Sequence, residues 1–295
     1  MKRMVSILLV LAGLLVTGVL PGSMSASANG APSVFLDGVV LDQEDTMIVE
    51  GRTLIRLRAL TDPEWLVFAY DPQTKEVMFH TQDDSIYVYL REGDKTATVN
   101  DKQVQIDTPV MNKDGFTYVP LRFISETLGA YVHYFAEDNR VIVRTPKAQV
   151  KYETLMHGDL TDARKIAINL PRRGTGPQLE FGEMYSSNTY TFPEGEALRF
   201  IYDASGYSQH YYEVNEQGFA VLKWQYDAVA DKEWGTKPAF ERAVYFDDLY
   251  KSQVFYYGTL DEQGNRVPLG EFYYDNRNRV SVMPIEGEVR TDAKP

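Results

Sequence analysis

The sequence predicts an α+β fold that is mostly β: a duplicated antiparallel sheet packed around helix, followed by a second β-rich antiparallel meander domain. Three observations carry this expectation. The chain matches itself without gaps at an offset of 64 residues. Apolar and polar residues alternate along much of both halves, the period of half-buried strands. Helical spacing is confined to short stretches near 57–60, 121–128 and 162–168.

The repeat sets Gly51-Arg52-Thr53-Leu54-Ile55-Arg56-Leu57-Arg58 over Gly115-Phe116-Thr117-Tyr118-Val119-Pro120-Leu121-Arg122. Six of the 29 pairs in 51–79 are identical, and the register holds through Tyr70 over Tyr134 and Val77 over Val141, so duplication is the economical reading. Each copy runs in one order. A strand leads to a hairpin-like turn, Leu36-Asp37-Gly38-Val39 in the first copy and Val99-Asn100-Asp101-Lys102 in the second. A strand into the Gly-x-Thr element, a helix and a closing hairpin follow. In the second copy Pro120 suits a first helical turn, Leu121, Ile124 and Leu128 recur at helical spacing, and Gly129 ends the helix. In the first, Leu57 and Leu60 begin a helix that Asp62-Pro63 stops after about two turns. The closing hairpins join 66–70 to 77–79 and 130–135 to 141–144.

The residues Phe116 to Ala130, then Val132 and Val141-Ile142-Val143, resemble the copper amine oxidase N-terminal-like, or stalk, domain family over about residues 34–145. The first copy departs from the pattern, with Arg56 in place of the usual Pro and Pro63-Glu64-Trp65 in place of the helix end and Leu-Gly pair. The resemblance implies an antiparallel sheet wrapped around helix, appended to bacterial exported proteins of Gram-positive type. It does not imply copper binding or amine oxidation, because the module is not the catalytic part of those enzymes.

Residues 1–28 read as an export signal. Lys2 and Arg3 precede an apolar run over 5–20, Pro21-Gly22 follows, and Ala26-Ser27-Ala28 is an A-x-A cleavage site. The run is short for a bilayer span, which needs roughly 20 residues, so no stable membrane span is expected after cleavage. The expected location is secreted or cell-surface. Cysteine is absent from the chain, so neither disulfides nor thiolate metal sites are available. Loss of Lys2 and Arg3 moves the formal net charge from −12 to −14. An acidic chain lacks the basic face that nucleic acid or anionic lipid requires.

Pro146-Lys147-Ala148-Gln149 reads as the boundary to a second domain over 150–290, which has 14 of the 20 tyrosines and so a different composition. One helix is expected near 162–168 with Thr161 as its cap. The rest reads as strands. Aromatic pairs at 211/212, 256/257 and 273/274 each precede a polar turn, the pattern of an antiparallel meander, with a last hairpin returning over 279–283. The end, residues 291–295, reads as a frayed polar tail.

Catalytic motifs are absent: no Gly-x-Ser-x-Gly elbow, no His-Glu-x-x-His, no phosphate-binding glycine loop. The four histidines, His80, His133, His157 and His210, form no ligand pattern, and no metal or other cofactor is expected. Arg58 and Arg122 recur in the repeat and read as packed stems with charged heads, Glu126 being the i+4 partner of Arg122. Trp224, Trp234, Tyr211 and Tyr256 are the candidate ligand-binding residues, as aromatic faces that could stack on pyranose rings; core and cross-strand pairing is the competing role. Asp227, Asp231, Asp247 and Asp248 are candidate acids. The expected function is an exported, non-enzymatic, envelope-associated protein whose stalk-like module presents a β-rich domain that binds cell-wall glycan or an extracellular protein. The alternative is a secreted hydrolase using carboxylates of the second domain on envelope or polysaccharide.

Overall fold

In a computed structural model of the protein, the described residues are 31–60, 65–174, 186–275 and 278–294. The export signal read at 1–28 and the helix stop at Asp62-Pro63 lie outside them.

The first half runs β1 (Ser33–Leu36), β2 (Val39–Val40), β3 (Thr46–Val49), β4 (Arg52–Arg56), β5 (Leu66–Asp71), β6 (Glu76–Thr81) and β7 (Tyr87–Arg91). It continues through β8 (Thr96–Val99), β9 (Lys102–Gln105), β10 (Met111–Lys113), β11 (Phe116–Pro120), helix α1 (Leu121–Thr127), β12 (Tyr131–Phe135) and β13 (Arg140–Arg144). The strands form three sheets, ordered β12-β13-β1-β2, β10-β11-β4-β3 and β5-β6-β7-β8-β9.

The 64-residue offset is visible in three dimensions. Strands β4 and β11 pair antiparallel with Ile55 opposite Val119, its own repeat equivalent, while Leu54 faces Pro120 and Arg56 faces Tyr118. A pseudo-twofold axis therefore passes between Ile55 and Val119. The copies are also interlaced. The leading hairpin of the first copy, β1-β2, joins the closing hairpin of the second through β1 and β13, which run parallel. The leading hairpin of the second copy, β8-β9, lies in one sheet with the closing hairpin of the first, with β7 inserted between. Both leading turns have two successive positive φ values, at Asp37 and Gly38 and at Asn100 and Asp101, the geometry that matches strand twist in two-residue hairpins.

Leu121, Ile124 and Leu128 are buried as their spacing predicted, and pack with Ile55, Val119 and Phe79 in one core. Among the described residues, the first copy has a 3-10 turn over Leu57–Leu60 where α1 begins in the second. Trp65 compensates: it fills the core and its indole N–H donates to the Leu128 carbonyl at 3.2 Å, closing the C-terminal end of α1. Arg122 meets Glu126 at 3.8 Å on the surface, as expected.

The residues read as the boundary, 146–149, form the first turn of a helix. Residues Pro146–His157 form helix α2, capped by Thr145, and helix α3 follows at Leu160–Ala167, capped by Asp159 rather than Thr161. Then come β14 (Arg172–Arg173), β15 (Asn188–Pro193), β16 (Arg199–Ala204), β17 (Ser208–Val214), β18 (Ala220–Asp227), β19 (Lys232–Gly235), β20 (Ala243–Leu249), β21 (Val254–Leu260) and β22 (Arg266–Tyr273). They make one sheet ordered β14-β18-β17-β16-β15-β20-β21-β22, with β19 on the free part of β18. All its ladders are antiparallel except the short β14–β18 pairing, so the meander expectation holds.

The return hairpin over 279–283 does not form. That segment instead lays Val280, Val282, Met283 and Ile285 against the sheet, where Phe192, Phe200, Phe246 and Phe255 pack with Leu155 and Met156 of α2. Nor is the tail frayed. The Asp292 carboxylate accepts the N–H groups of Ala197 and Leu198 at 2.7 and 2.6 Å, and Arg290 donates to the Leu155 and Gly158 carbonyls that end α2. Orphan carbonyls at a helix C-terminus need such donors. Among the described residues no helix is long and apolar enough to cross a membrane.

Candidate functional site

Strand register decides which aromatic residues can act together. Trp224 lies opposite Tyr211, and Tyr256 lies opposite Asp247, which faces Thr189 and through it Asp203. Alternation puts Trp224, Tyr211 and Tyr256 on one face of the sheet. Trp234 pairs with Gln225, so it sits on the other face. The structure thus brings Trp224 and Tyr211 together, leaves Tyr256 four strands from Tyr211 on the same face, and turns Trp234 to the other face.

Two of the three are buried. Trp224 is 1% and Tyr211 5% exposed. The Trp224 indole donates to Glu233, Lys237 lies 5.5 Å from its ring, and Phe240 packs edge-on against Tyr211. Burial pushes the Tyr211 phenol up to about 12, with its bond to Glu213 adding to the shift, so it stays a donor. These rings hold the segment after β19 onto the sheet and show no open face to a sugar. Gly235, opposite Trp224, has φ +79°, and a Cβ there would come within 2.1 Å of the Lys223 carbonyl. Gly235→Ala is expected to cost about 2 kcal/mol or more through left-handed strain and that clash. Tryptophan emission should shift to the red as Trp224 is uncovered; an unchanged spectrum and unfolding midpoint would refute this role for β19.

The four candidate acids are each committed. Asp247 accepts from Thr189 Oγ1 at 2.9 Å and Arg266 at 2.8 Å. Asp248 accepts from the Tyr274 hydroxyl and from Arg279 Nε, and as the next residue on a strand it faces away from Asp247. Asp227 closes its turn on the Val229 and Ala230 N–H groups, and Asp231 accepts from the Tyr226 hydroxyl. This arrangement supplies no facing pair to divide acid and base roles. Among the described residues, no group of three or more His, Asp or Glu side chains could hold a metal ion.

A different site emerges where β13, the α2–α3 pair and the β17–β18 turn meet. Asp37 in the β1–β2 turn accepts both the Thr145 N–H and its hydroxyl at 2.8 Å, and Thr145 Oγ1 in turn accepts the Ala148 N–H. The start of α2 is thereby fixed to the first half, and Pro146 at the first helical position is preset for the turn. From the other side Asn215 Oδ1 accepts the N–H groups of Gln217 and Phe219, shaping the β17–β18 turn. That turn meets α2 through the Tyr152 hydroxyl, which donates to the Glu216 carbonyl at 2.8 Å.

Between these elements lies a cavity of about 600 Å³. Ile142, Leu155, Ile166, Leu170, Pro171 and Phe219 supply its apolar walls. Arg144, Lys147, Lys151 and Lys165 line it beside one carboxylate, Asp37, and Lys165 also pairs with Asp162 at 3.1 Å. Lys147 and Lys151 are one helical turn apart on α2, so they share a face. A local excess of cations is notable in a chain of net charge −12.

Arg144 is the centre of the site. It is 6% exposed, and no carboxylate lies within 4 Å of it among the described residues. Its guanidinium stacks 3.6 Å over the Tyr152 ring and donates to the Gln217 carbonyl at 3.0 Å. Burial pulls its pKa below the usual arginine value. Arg164, buried to a similar depth, has Glu288 as a bidentate partner at 2.6 and 2.7 Å. A buried cation without an anion leaves several kcal/mol of desolvation only partly offset by ring and carbonyl contacts. An incoming carboxylate or phosphate would supply the missing charge.

Sequence reasoning passed over this site because 146–149 was read as a boundary. A signal was present: Arg140, Arg144, Lys147 and Lys151 recur every three or four residues in an otherwise acidic chain.

The two interlaced copies define a module of the duplicated-sheet class, and residues 35–143 match the family model described as Copper amine oxidase N-terminal domain. That match is compatible with a non-catalytic, stalk-like module. No curated protein matches the chain.

Proposed function

We propose that the protein is an exported, non-enzymatic, envelope-associated binding protein. In this reading the stalk-like module, bounded at 146–149, is one wall of the binding site, and the β-rich half supplies the other. The ligand is anionic, on a cell-wall glycan or an extracellular protein. One observation carries the reading: Arg144 is buried, lines the cavity and has no carboxylate partner among the described residues. The committed acids give the hydrolase reading no support.

Calorimetric titration of the purified protein with phosphate- or uronate-bearing wall fragments at low salt is expected to show one saturable site. Arg144→Met keeps the apolar stem against Tyr152 and removes the charge, so binding should weaken at least about tenfold, the worth of a charge-assisted hydrogen bond. Its free energy of unfolding should not fall by more than about 1 kcal/mol, since no ion pair among the described residues is broken. Saturable binding that ignores the substitution, or none by any anion, would defeat the assignment. Export is checked separately by fractionation, which should find the chain outside the cytoplasm without residues 1–28.

A further inference from the structure

The cavity is more than a cationic patch, because its charge and its apolar surface are segregated. Lys147, Lys151 and Lys165 are exposed at the rim, whereas Ile142, Leu155 and Phe219 are buried at the floor, with Ile166, Leu170 and Pro171 half-buried between them. The aromatic faces nearby are already used. Arg144 covers Tyr152, while Phe219 packs edge-on with Phe35 and has Arg140 and Arg173 over its ring. What remains for a ligand is aliphatic surface, which suits methylene groups and gives a pyranose ring no flat partner. The volume, about 600 Å³, lies in the range of sites that enclose a small organic molecule.

The position of Arg144 adds direction. It ends β13, on the same strand face as Ile142 and beside Thr145 at the helix cap, so its charge stands at the border between rim and floor. A head group meeting Arg144 from the rim would leave its body pointing toward Leu155 and Phe219. Gly38 keeps that wall closed, because a Cβ there would lie 2.5 Å from Pro171 Cγ.

We propose that this cavity takes an anionic amphiphile: a carboxylate or phosphate head held by Arg144 and Lys151, with an aliphatic body along Leu155, Ile166 and Leu170. The inference rests on the reading of the cavity as an anion site and adds the nature of what the anion is attached to. Carboxylate and phosphate heads share this chemistry and differ in source, a fatty acid in one case and a phospholipid or alkyl phosphate in the other.

The test is a chain-length series on the purified protein: acetate, octanoate, decanoate and laurate, each below its aggregation concentration, with decyl phosphate and the neutral decyl glucoside beside them. Affinity should rise about fourfold per methylene from octanoate to laurate, the increment for burying one CH₂. Decyl glucoside should bind at least tenfold more weakly than decanoate. Arg144→Met and Lys151→Glu should each weaken decanoate, and Ile166→Asp at the half-buried wall should flatten the chain-length series. The tighter of decanoate and decyl phosphate identifies the source. Affinity independent of chain length, or equal binding of decyl glucoside, overturns the amphiphile while leaving an anion site intact if wall fragments still saturate. Failure of every anion removes both readings together.

Discussion

Glu288→Ala is expected to destabilise the fold by about 3–5 kcal/mol, the largest single effect of any substitution considered. Glu288 lies on the C-terminal segment and Arg164 on α3, and the pair is sealed from solvent with side-chain exposures of 3% and 1%. The carboxylate receives two guanidinium nitrogens and also the Gly195 N–H at 2.7 Å. Arg164 further donates to the Glu196 and Pro193 carbonyls and stands 5.1 Å from the Phe192 ring. Removing the carboxylate strands a cation among phenylalanines, which is the costly half of breaking a buried pair. Glu288→Gln retains acceptor geometry without charge and should fall between. The double variant Arg164→Met, Glu288→Leu should regain much of the loss, because neither charge remains buried. Urea midpoints decide it: a loss below about 1 kcal/mol for Glu288→Ala would show that the pair contributes nothing beyond packing. Arg144→Met is the internal contrast, since a buried arginine with no carboxylate partner among the described residues should be removable at little cost.

The difference between these two arginines also shows what the sequence can and cannot reveal. Within the repeat, legibility was high. An ungapped 64-residue offset and matching Gly-x-Thr elements require equivalent strands, and the structure sets Ile55 against Val119. Interlacing of the copies was not legible, because local pattern fixes which residues form strands but not which copy supplies the neighbour. The α2 helix was missed for a physical reason. Only Leu155 and Met156 are fully buried along it, so its apolar stripe is too narrow to advertise itself, and Thr145-Pro146 was the clearer sign. Among the aromatic candidates, alternation does place Trp224, Tyr211 and Tyr256 on one face. The burial of Trp224 and Tyr211 depends on the segment carrying Lys237 and Phe240, and period-two arguments are silent about what folds over a face. The cationic cavity is assembled from residues 37 to 219, so its charge excess exists only in three dimensions.

His210 should make stability fall as pH drops below neutrality, and the sign follows from its surroundings. The ring is 7% exposed and stacked beside Tyr202 and Tyr212 at 5.9 and 6.2 Å, with Gln225 opposite it in register. Arg172 on β14 lies over both tyrosines. Burial, seconded by the Arg172 charge, pulls the imidazole from its ordinary 6.5 down to about 4. A base whose folded pKa is depressed is neutral in both states above about pH 6.5, where its contribution to stability is complete. Below that value the unfolded chain takes up a proton the folded chain refuses, so stability is lost progressively down to about pH 4. The gap of about 2.5 pH units corresponds to about 3 kcal/mol in full, of which about 2–3 kcal/mol should be gone by pH 4.5. Carboxylates titrate over the same span, so the measurement is a difference: urea midpoints of the protein and of His210→Gln at pH 7 and 4.5. Glutamine never acquires the charge, and its loss between the two pH values should be smaller by that amount. Equal losses in the two proteins would mean that the folded state accommodates the imidazolium beside Arg172, and that the sheet under β14 is wetter than its packing implies.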